Sequence, residues 1–114
     1  MADGHRIETF LEMMAAERGA SPATLDAYGR DLGDFAAFLG ARGKAVDAAE
    51  AVDVADHMAE LAARGMAAST QARHLSAIRQ FHRFLYGEGF RADDPTGTID
   101  APKKGRPLPK VLSE

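Results

Sequence analysis

The segment from Ser69 to Leu85 carries side chains that could bind a polyanion. Its sequence, STQARHLSAIRQFHRFL, contains three arginines and two histidines but no carboxylate. The whole chain is nonetheless acidic, because its 114 residues include 17 Asp+Glu against 14 Lys+Arg. Arginine can bond guanine or phosphate through two N–H groups, and Gln, Ser and Thr can bond bases or phosphates. This acid-free segment in an acidic protein is therefore a candidate DNA-contacting surface.

A helix over this segment would divide its side chains between two arcs. The apolar arc, which we expect to face the core, comprises Leu75, Ile78, Phe81, His82 and Leu85. The outer arc comprises Ser69, Arg73, Ser76, Gln80 and Arg83, with Arg79 at its edge. A solvated helix face would also explain charged residues here, but such faces usually mix both signs to form i,i+4 pairs. The pattern leaves both interpretations open, a solvated face and a DNA-binding face.

The rest of the sequence offers no catalytic or metal-binding pattern. The four histidines lack the i,i+4 spacing of a zinc site, and the absence of cysteine excludes thiolate ligands. Neither a glycine-rich phosphate loop nor a nucleophile elbow is present, so Ser21 and Ser69 are predicted to cap helices. Tyr28 and His82 fall on apolar arcs and are expected in the core. We therefore expect no cofactor, no metal ion and no catalysis by this chain.

Composition indicates one helical domain of an ordinary globular protein. Hydrophobic residues make up 46% of the chain, and helix formers such as Ala dominate while Val and Ile are scarce. No apolar run approaches the ~18 residues of a membrane span, and the N-terminus has no signal core, so we expect a cytoplasmic protein. Residues 1–68 carry a net charge of −6 and residues 69–114 carry +3. This asymmetry favours a polyanionic partner for the C-terminal part.

Apolar spacing predicts four helices. The first ends near Gly19, a residue suited to the left-handed stop of a helix. The second begins with Ser21 as N-cap and Pro22 at the first helical position, and it ends between Gly40 and Gly43.

The third helix has two candidate starts. Asp47 with Glu50 could form a capping box, or Asp53 could be the N-cap, and Gly65 should end the helix. The fourth helix is the acid-free segment, starting at its first serine and running to about Tyr86.

Beyond the fourth helix the helical pattern stops. Asp-Asp-Pro-Thr-Gly over 93–97 is typical of a turn, and APKKGRPLP over 101–109 predicts an extended basic linker. The final residues, KVLSE, resemble the start of another helix. We therefore expect a second domain to follow the linker.

Three stretches together resemble the N-terminal core-binding domain of Xer-type tyrosine recombinases. They are SPATLDAYGRDLGDFAAFL, ASTQARHLSAIRQFHRFLYGEG and DDPTGTIDAPKKGRPLPKVLSE, and the resemblance extends from about Ile7 to Glu114. Its specific features are Ser-x-x-Thr-x-x-x-Tyr-x-x-Asp-Leu over 21–32, Leu-Ser-Ala-Ile-Arg over 75–79, Asp-Pro at 94–95, Pro-Lys at 102–103 and Leu-Pro-Lys at 108–110. The FRADDP and LPKVLSE stretches favour XerD-like over XerC-like members, and phage and integron integrases share parts of the pattern.

The resemblance implies an all-α fold, a SAM-like four-helix orthogonal bundle over 1–100 followed by a basic linker over 101–114. In the family this domain and a C-terminal catalytic domain clamp a double-stranded recombination site. The whole enzyme would perform site-specific recombination of the chromosome-dimer-resolution type, paired with a second recombinase subunit in a tetramer on DNA. The catalytic tyrosine and its partner residues belong to the catalytic domain, so this chain alone is expected to bind DNA without cleaving it.

The family's DNA contacts can be carried over by position. They fall on Thr24, Ala27 and Arg30 of helix two, on Ser69, Thr70, Arg73 and His74 of helix four, and on Lys103, Lys104 and Arg106 of the linker. Asp26 and Asp34 flank Arg30 at i−4 and i+4, so we expect them to hold its side chain until DNA competes for it. A rival hypothesis is a helical protein–protein interaction module that uses the acidic body, whose binding would lack the steep salt dependence of DNA binding.

Overall fold

The computed structural model describes the backbone of residues 2–97 and the side chains of residues 5–97. In that part of the chain the regular structure consists of four α-helices and a 3₁₀ turn, without strands. The elements are α1 (Ala2–Glu17), α2 (Pro22–Ala41), the 3₁₀ turn (Val46–Ala48), α3 (Ala51–Ala63) and α4 (Ala68–Gly87). The predicted all-α fold with four helices is therefore confirmed. The predicted linker, with Lys103, Lys104 and Arg106, lies outside the described residues.

The sequence signals at the ends of α1 and α2 act as predicted. Gly19 adopts a φ of 62°, and the Ala20 N–H next to it donates to the Met14 carbonyl over 3.1 Å. The hydroxyl of Ser21 accepts from the Thr24 N–H at 3.2 Å, so Ser21 is the N-cap of α2. Pro22 is the first residue of that helix, where its missing N–H leaves no bond unmade.

The start of α3 differs from both predicted alternatives. Glu50 is the N-cap, and Asp53 is the third helical residue, whose carboxylate accepts from the Glu50 N–H at 2.9 Å. Asp47 lies in the preceding 3₁₀ turn instead. Burial alone would raise the pKa of Asp53, but hydrogen bonds from Lys44, the Glu50 N–H and Arg42 lower it from 3.8 to about 2. Asp53 is thus a buried anion that joins the loop before α3 to that helix.

The prediction that Ser69 caps α4 was wrong. The helix begins at Ala68, and its N-cap is Ala67, which has no side chain that could bond the first N–H groups. Ser69 is exposed on the first turn. The serine is therefore free of a capping role and remains available for surface contacts.

One hydrophobic core joins all four helices. Phe10 of α1 packs edge-on against Phe81 of α4, with ring centroids 5.6 Å apart. Phe35 of α2 contacts His57 of α3 at a centroid distance of 5.1 Å. His82 is fully buried, as predicted, and its Nδ1 lies 2.9 Å from the Ile78 carbonyl. Within residues 2–97 no helix is both long and apolar enough to cross a membrane.

The two predicted caps provide a matched pair of variants. Ser21→Ala should lower the free energy of unfolding by ~1 kcal/mol, because the Thr24 N–H loses its acceptor. Ser69→Ala should leave stability within ~0.5 kcal/mol of the wild type, since this exposed hydroxyl caps nothing. Urea unfolding monitored by circular dichroism measures both, and equal losses for the two variants would contradict the cap assignment.

Candidate nucleic-acid interface

The outer arc of α4 is less open than its sequence indicates. Ser69 and Arg83 are exposed, but Ser76 and Gln80 are half-buried because α2 packs over them. The hydroxyl groups of Tyr28 and Ser76 lie 3.1 Å apart. The Gln80 amide nitrogen donates to both hydroxyls, at 3.1 Å to Tyr28 and 3.2 Å to Ser76. Two of the polar side chains expected to meet DNA therefore hold α2 against α4.

A basic depression lies where the end of α1 meets α4. The Arg18 Nη1 donates to the Gln80 side-chain oxygen over 2.9 Å and closes one side of it. The residues that line the depression are Arg18, Ala72, Leu75, Ser76, Arg79, Gln80 and Arg83. Three of these seven are arginines and none is acidic, so the depression is electrostatically suited to phosphate oxygens.

Arg73 forms a two-pronged ion pair with a carboxylate that α4 itself does not supply. Its Nε donates to the Asp31 Oδ2 at 2.8 Å and its Nη2 donates to Oδ1 at 2.9 Å. The Asp31 side chain is 2% exposed, whereas the Arg73 side chain is 45% exposed. This hydrogen bonding raises the pKa of Arg73 above its ordinary value. Arg73 is therefore anchored at its inner edge and open to solvent at its outer edge.

His74 does not face outward, in contrast to its carried-over role as a DNA contact. The side chain is buried, and its Nε2 lies 3.2 Å from the Asp31 Oδ1. Burial lowers the pKa of His74 below its ordinary value, although the Asp31 carboxylate favours the charged form. The neutral ring can donate from Nε2 to Asp31. His74 lies on the arc of α4 that faces α3. It therefore contacts Asp31 in the interior and is not part of the exposed surface of the site.

The α2 residues expected at the interface lie in the first half of that helix. Thr24 is half-buried, and its Oγ1 accepts a hydrogen bond from the Ser21 hydroxyl at 3.0 Å. Ala27 is half-buried and Arg30 is exposed. Arg30 forms neither of its expected ion pairs, with Asp26 or with Asp34, and Asp34 pairs instead with Arg64 of the α3 C-cap at 3.4 Å.

The remaining predicted residue of α4, Thr70, is half-buried on the first turn. Ser69, Thr70 and Arg73 thus lie together at the start of α4, whereas the His74 side chain is buried away from them. The described residues contain no group of three or more His, Asp or Glu side chains that could hold a metal ion.

Asp31 and Arg18 are the residues of this site that the sequence argument missed. Asp31 follows Tyr28 by three residues and precedes Phe35 by four, which places it on the apolar arc of α2. An acid on such an arc needs a buried partner, and that signal could have identified it. Arg18 lies outside the helices, so helical periodicity gave no indication that it would reach Gln80.

Comparison with known proteins agrees with the resemblance found in the sequence. Residues 7–89 match the family described as phage integrase, N-terminal SAM-like domain. The chain is 57% identical over 111 residues to tyrosine recombinase XerD of Agrobacterium fabrum, an alignment that covers 97% of this chain and 34% of the relative. It is 51% identical over 105 residues to tyrosine recombinase XerD of Caulobacter vibrioides, covering 92% of this chain and 34% of the relative. The chain therefore spans about a third of the length of these curated relatives. No solved structure matches the chain.

Proposed function

Because this chain belongs to the phage integrase N-terminal SAM-like domain family, we propose that it is the DNA-binding domain of a site-specific tyrosine recombinase. The observation that carries this proposal is the basic surface of α4, to which α4 itself contributes no acid, formed by the first turn, the outer edge of Arg73 and the basic depression. Proteins bind duplex DNA chiefly through arginine and lysine contacts to phosphates, with base contacts adding sequence preference.

We assign the two kinds of contact to different parts of this surface. Ser69, Thr70 and Arg73 on the first turns of α4 would meet base edges, together with Thr24, Ala27 and Arg30 of α2. The arginines of the basic depression would meet the phosphate backbone beside the groove. Because α4 begins without a capping side chain, its first N–H groups and the helix dipole add attraction for a phosphate. Lys103, Lys104 and Arg106 would extend the contact along the backbone.

In the whole enzyme this domain would orient the recombination site for a catalytic domain that follows it. We propose recombination of the chromosome-dimer-resolution type in the cytoplasm, with a paired recombinase subunit on the same DNA. The chain itself would supply binding and orientation. The chemical step would come from the catalytic domain.

The salt dependence of binding to a duplex of about 20 base pairs tests the proposal. The logarithm of the binding constant should fall linearly with the logarithm of salt concentration, because phosphate contacts release counterions. Non-specific dissociation constants of ~10⁻⁴–10⁻⁶ M are expected at physiological salt, so titrations by fluorescence anisotropy are best started at low salt. Arg83→Gln should reduce the magnitude of the slope by about one unit, since one phosphate contact is lost.

Arg64→Gln is the matched control for this experiment. It removes the same charge, but Arg64 is bonded to Glu60 and Asp34 on the α3 side of the bundle. The arc of α4 that faces α3 carries His74, and Arg83 lies on the opposite arc. Binding by the wild type that does not weaken with salt would favour the protein–protein interaction module instead. Equal slopes for Arg83→Gln and the wild type would remove the basic depression from the interface.

A further inference from the structure

Asp31 is an unusual residue for the interior of a small helical domain. Its carboxylate is almost completely buried, where an ionised acid is costly unless it is paired and hydrogen-bonded. Arg73 supplies two parallel N–H bonds and His74 lies within hydrogen-bond distance of the same carboxylate. Both partners are successive residues of α4, so one acid from α2 fixes the start of that helix.

The pair leaves a defined part of the guanidinium unused. An arginine has five N–H donors in a rigid planar fork. Asp31 takes one from Nε and one from Nη2, so the two donors of Nη1 and the second donor of Nη2 remain. One N–H of Nη1 and the free N–H of Nη2 point in parallel from the end of the guanidinium, on the edge next to the one that the carboxylate occupies. Two parallel donors on one edge are what the O6 and N7 acceptors of guanine require.

We infer that Asp31 is a positioning residue for base recognition, which holds Arg73 so that its outer N–H edge faces guanine in the DNA groove. This inference rests on the proposed function and adds the group that controls its specificity. A guanidinium fixed in advance loses less conformational entropy on binding than a free one. The same pair also has a cost for DNA affinity, because the negative charge of Asp31 offsets part of the attraction of Arg73 for the phosphates.

The two effects of Asp31 predict opposite changes in one variant. Asp31→Asn should reduce the preference for guanine at one base position by about 10-fold, because Arg73 is no longer held. It should also raise the overall affinity for DNA at low salt a few-fold, because one negative charge is removed. A residue that only stabilised the fold would lower affinity and preference together.

The probe is a library of duplexes randomised over about 20 base pairs, selected by the chain and sequenced before and after selection. Asp34→Asn is the matched control, because it removes the same charge from the same helix but from the partner of Arg64. We expect it to raise the low-salt affinity slightly and to leave the base preference unchanged. Arg73→Lys keeps the positive charge but cannot form two parallel bonds, so it should flatten the same position as Asp31→Asn.

Thermal melting of each variant separates loss of positioning from loss of folding. If Asp31→Asn does not fold, a wild-type base preference in the folded Arg73→Lys variant overturns the inference. Base preferences that stay at the wild-type level in both variants would overturn the inference while the salt-dependent binding of the wild type stands. Selection by the wild type without preference at any position would overturn it in the same way. No binding of the library by the wild type would overturn the proposed function, and this inference with it.

Discussion

Phe81→Ala is expected to lower the free energy of unfolding by ~3–5 kcal/mol, the usual cost of emptying a buried phenylalanine site. The ring is fully buried and packs edge-on against Phe10 at 5.6 Å and beside His82 at 5.5 Å. Its removal would leave a cavity where α1 meets α4. The surrounding helices can close this cavity only in part, because each of them is also packed against other helices. The loss is a large share of the ~5–15 kcal/mol that stabilises a typical small domain.

Tyr86→Ala is the control for this prediction, because Tyr86 is an aromatic residue of the same helix that is 55% exposed. It should change the free energy of unfolding by ~0.5 kcal/mol or less. Urea titration of the three proteins at neutral pH measures the difference. Similar midpoints for Phe81→Ala and the wild type would show that the interior of the bundle is packed differently.

The position of Phe81 could be predicted from the sequence because it depends on local periodicity. Apolar residues that recur every three to four positions define one arc of a helix, and this arc must be buried whatever the neighbouring element is. Phe35 and Leu39 of α2 lie four positions apart on one arc of that helix, and both are fully buried. Helix ends marked by Gly19 and by Ser21-Pro22 were equally predictable, because their signals act within a few residues.

Contacts between helices could not be predicted in the same way. Arg73 and Asp31 are 42 positions apart, and Arg18 and Gln80 are 62 apart. Periodicity assigns each residue to an arc but does not say which residue of another helix lies opposite. The outer arc of α4 has no acid of its own, but α2 contributes the Asp31 carboxylate that pairs with Arg73 on this arc. The sequence of α4 alone could not predict that pair.

His74 shows how the two kinds of sequence argument can disagree. Its position on the helical wheel falls within the apolar arc of α4, which predicts burial. The resemblance to recombinases placed it at the DNA instead. The side chain is 4% exposed, in agreement with periodicity. A family role carried over by position is thus best checked against the arc on which the residue lies.

Burial of His74 also brings it close to a second buried histidine. Its ring centroid is 6.3 Å from that of His57 on α3, and His57 in turn contacts Phe35 and Phe38. Neither ring nitrogen of His57 has a hydrogen-bond partner within the described residues. Together with His82, these residues give a small core three imidazoles that are buried in the neutral form. Such a core is sensitive to acid at a pH at which most carboxylates are still ionised.

The pKa of His57 gives this sensitivity a sign and a range. The pKa is lowered from 6.5 to about 4, mainly by burial and to a smaller extent by His74 and Arg64, while Asp34 and Glu60 act in the opposite direction. Above pH 6.5 the ring is neutral in both the folded and unfolded states, so its contribution to stability is complete. As the pH falls from 6.5 to about 4, the unfolded chain binds a proton that the folded chain does not. The free energy of unfolding should therefore fall by about 3 kcal/mol over this range from His57 alone.

His57→Leu should remove most of this pH dependence. Leucine is of similar size and leaves no unpaired polar atom, so we expect stability near pH 7.5 to be unchanged or slightly higher. At about pH 5 the variant should exceed the wild type by about 2 kcal/mol, because its side chain binds no proton on unfolding. Urea unfolding at both pH values measures the change, with His5→Leu, a substitution at an exposed histidine, as the control. If wild type and His57→Leu lose the same stability between pH 7.5 and 5, His57 is not a neutral buried ring. The assigned contact of its ring with Phe35 and Phe38 would then be wrong.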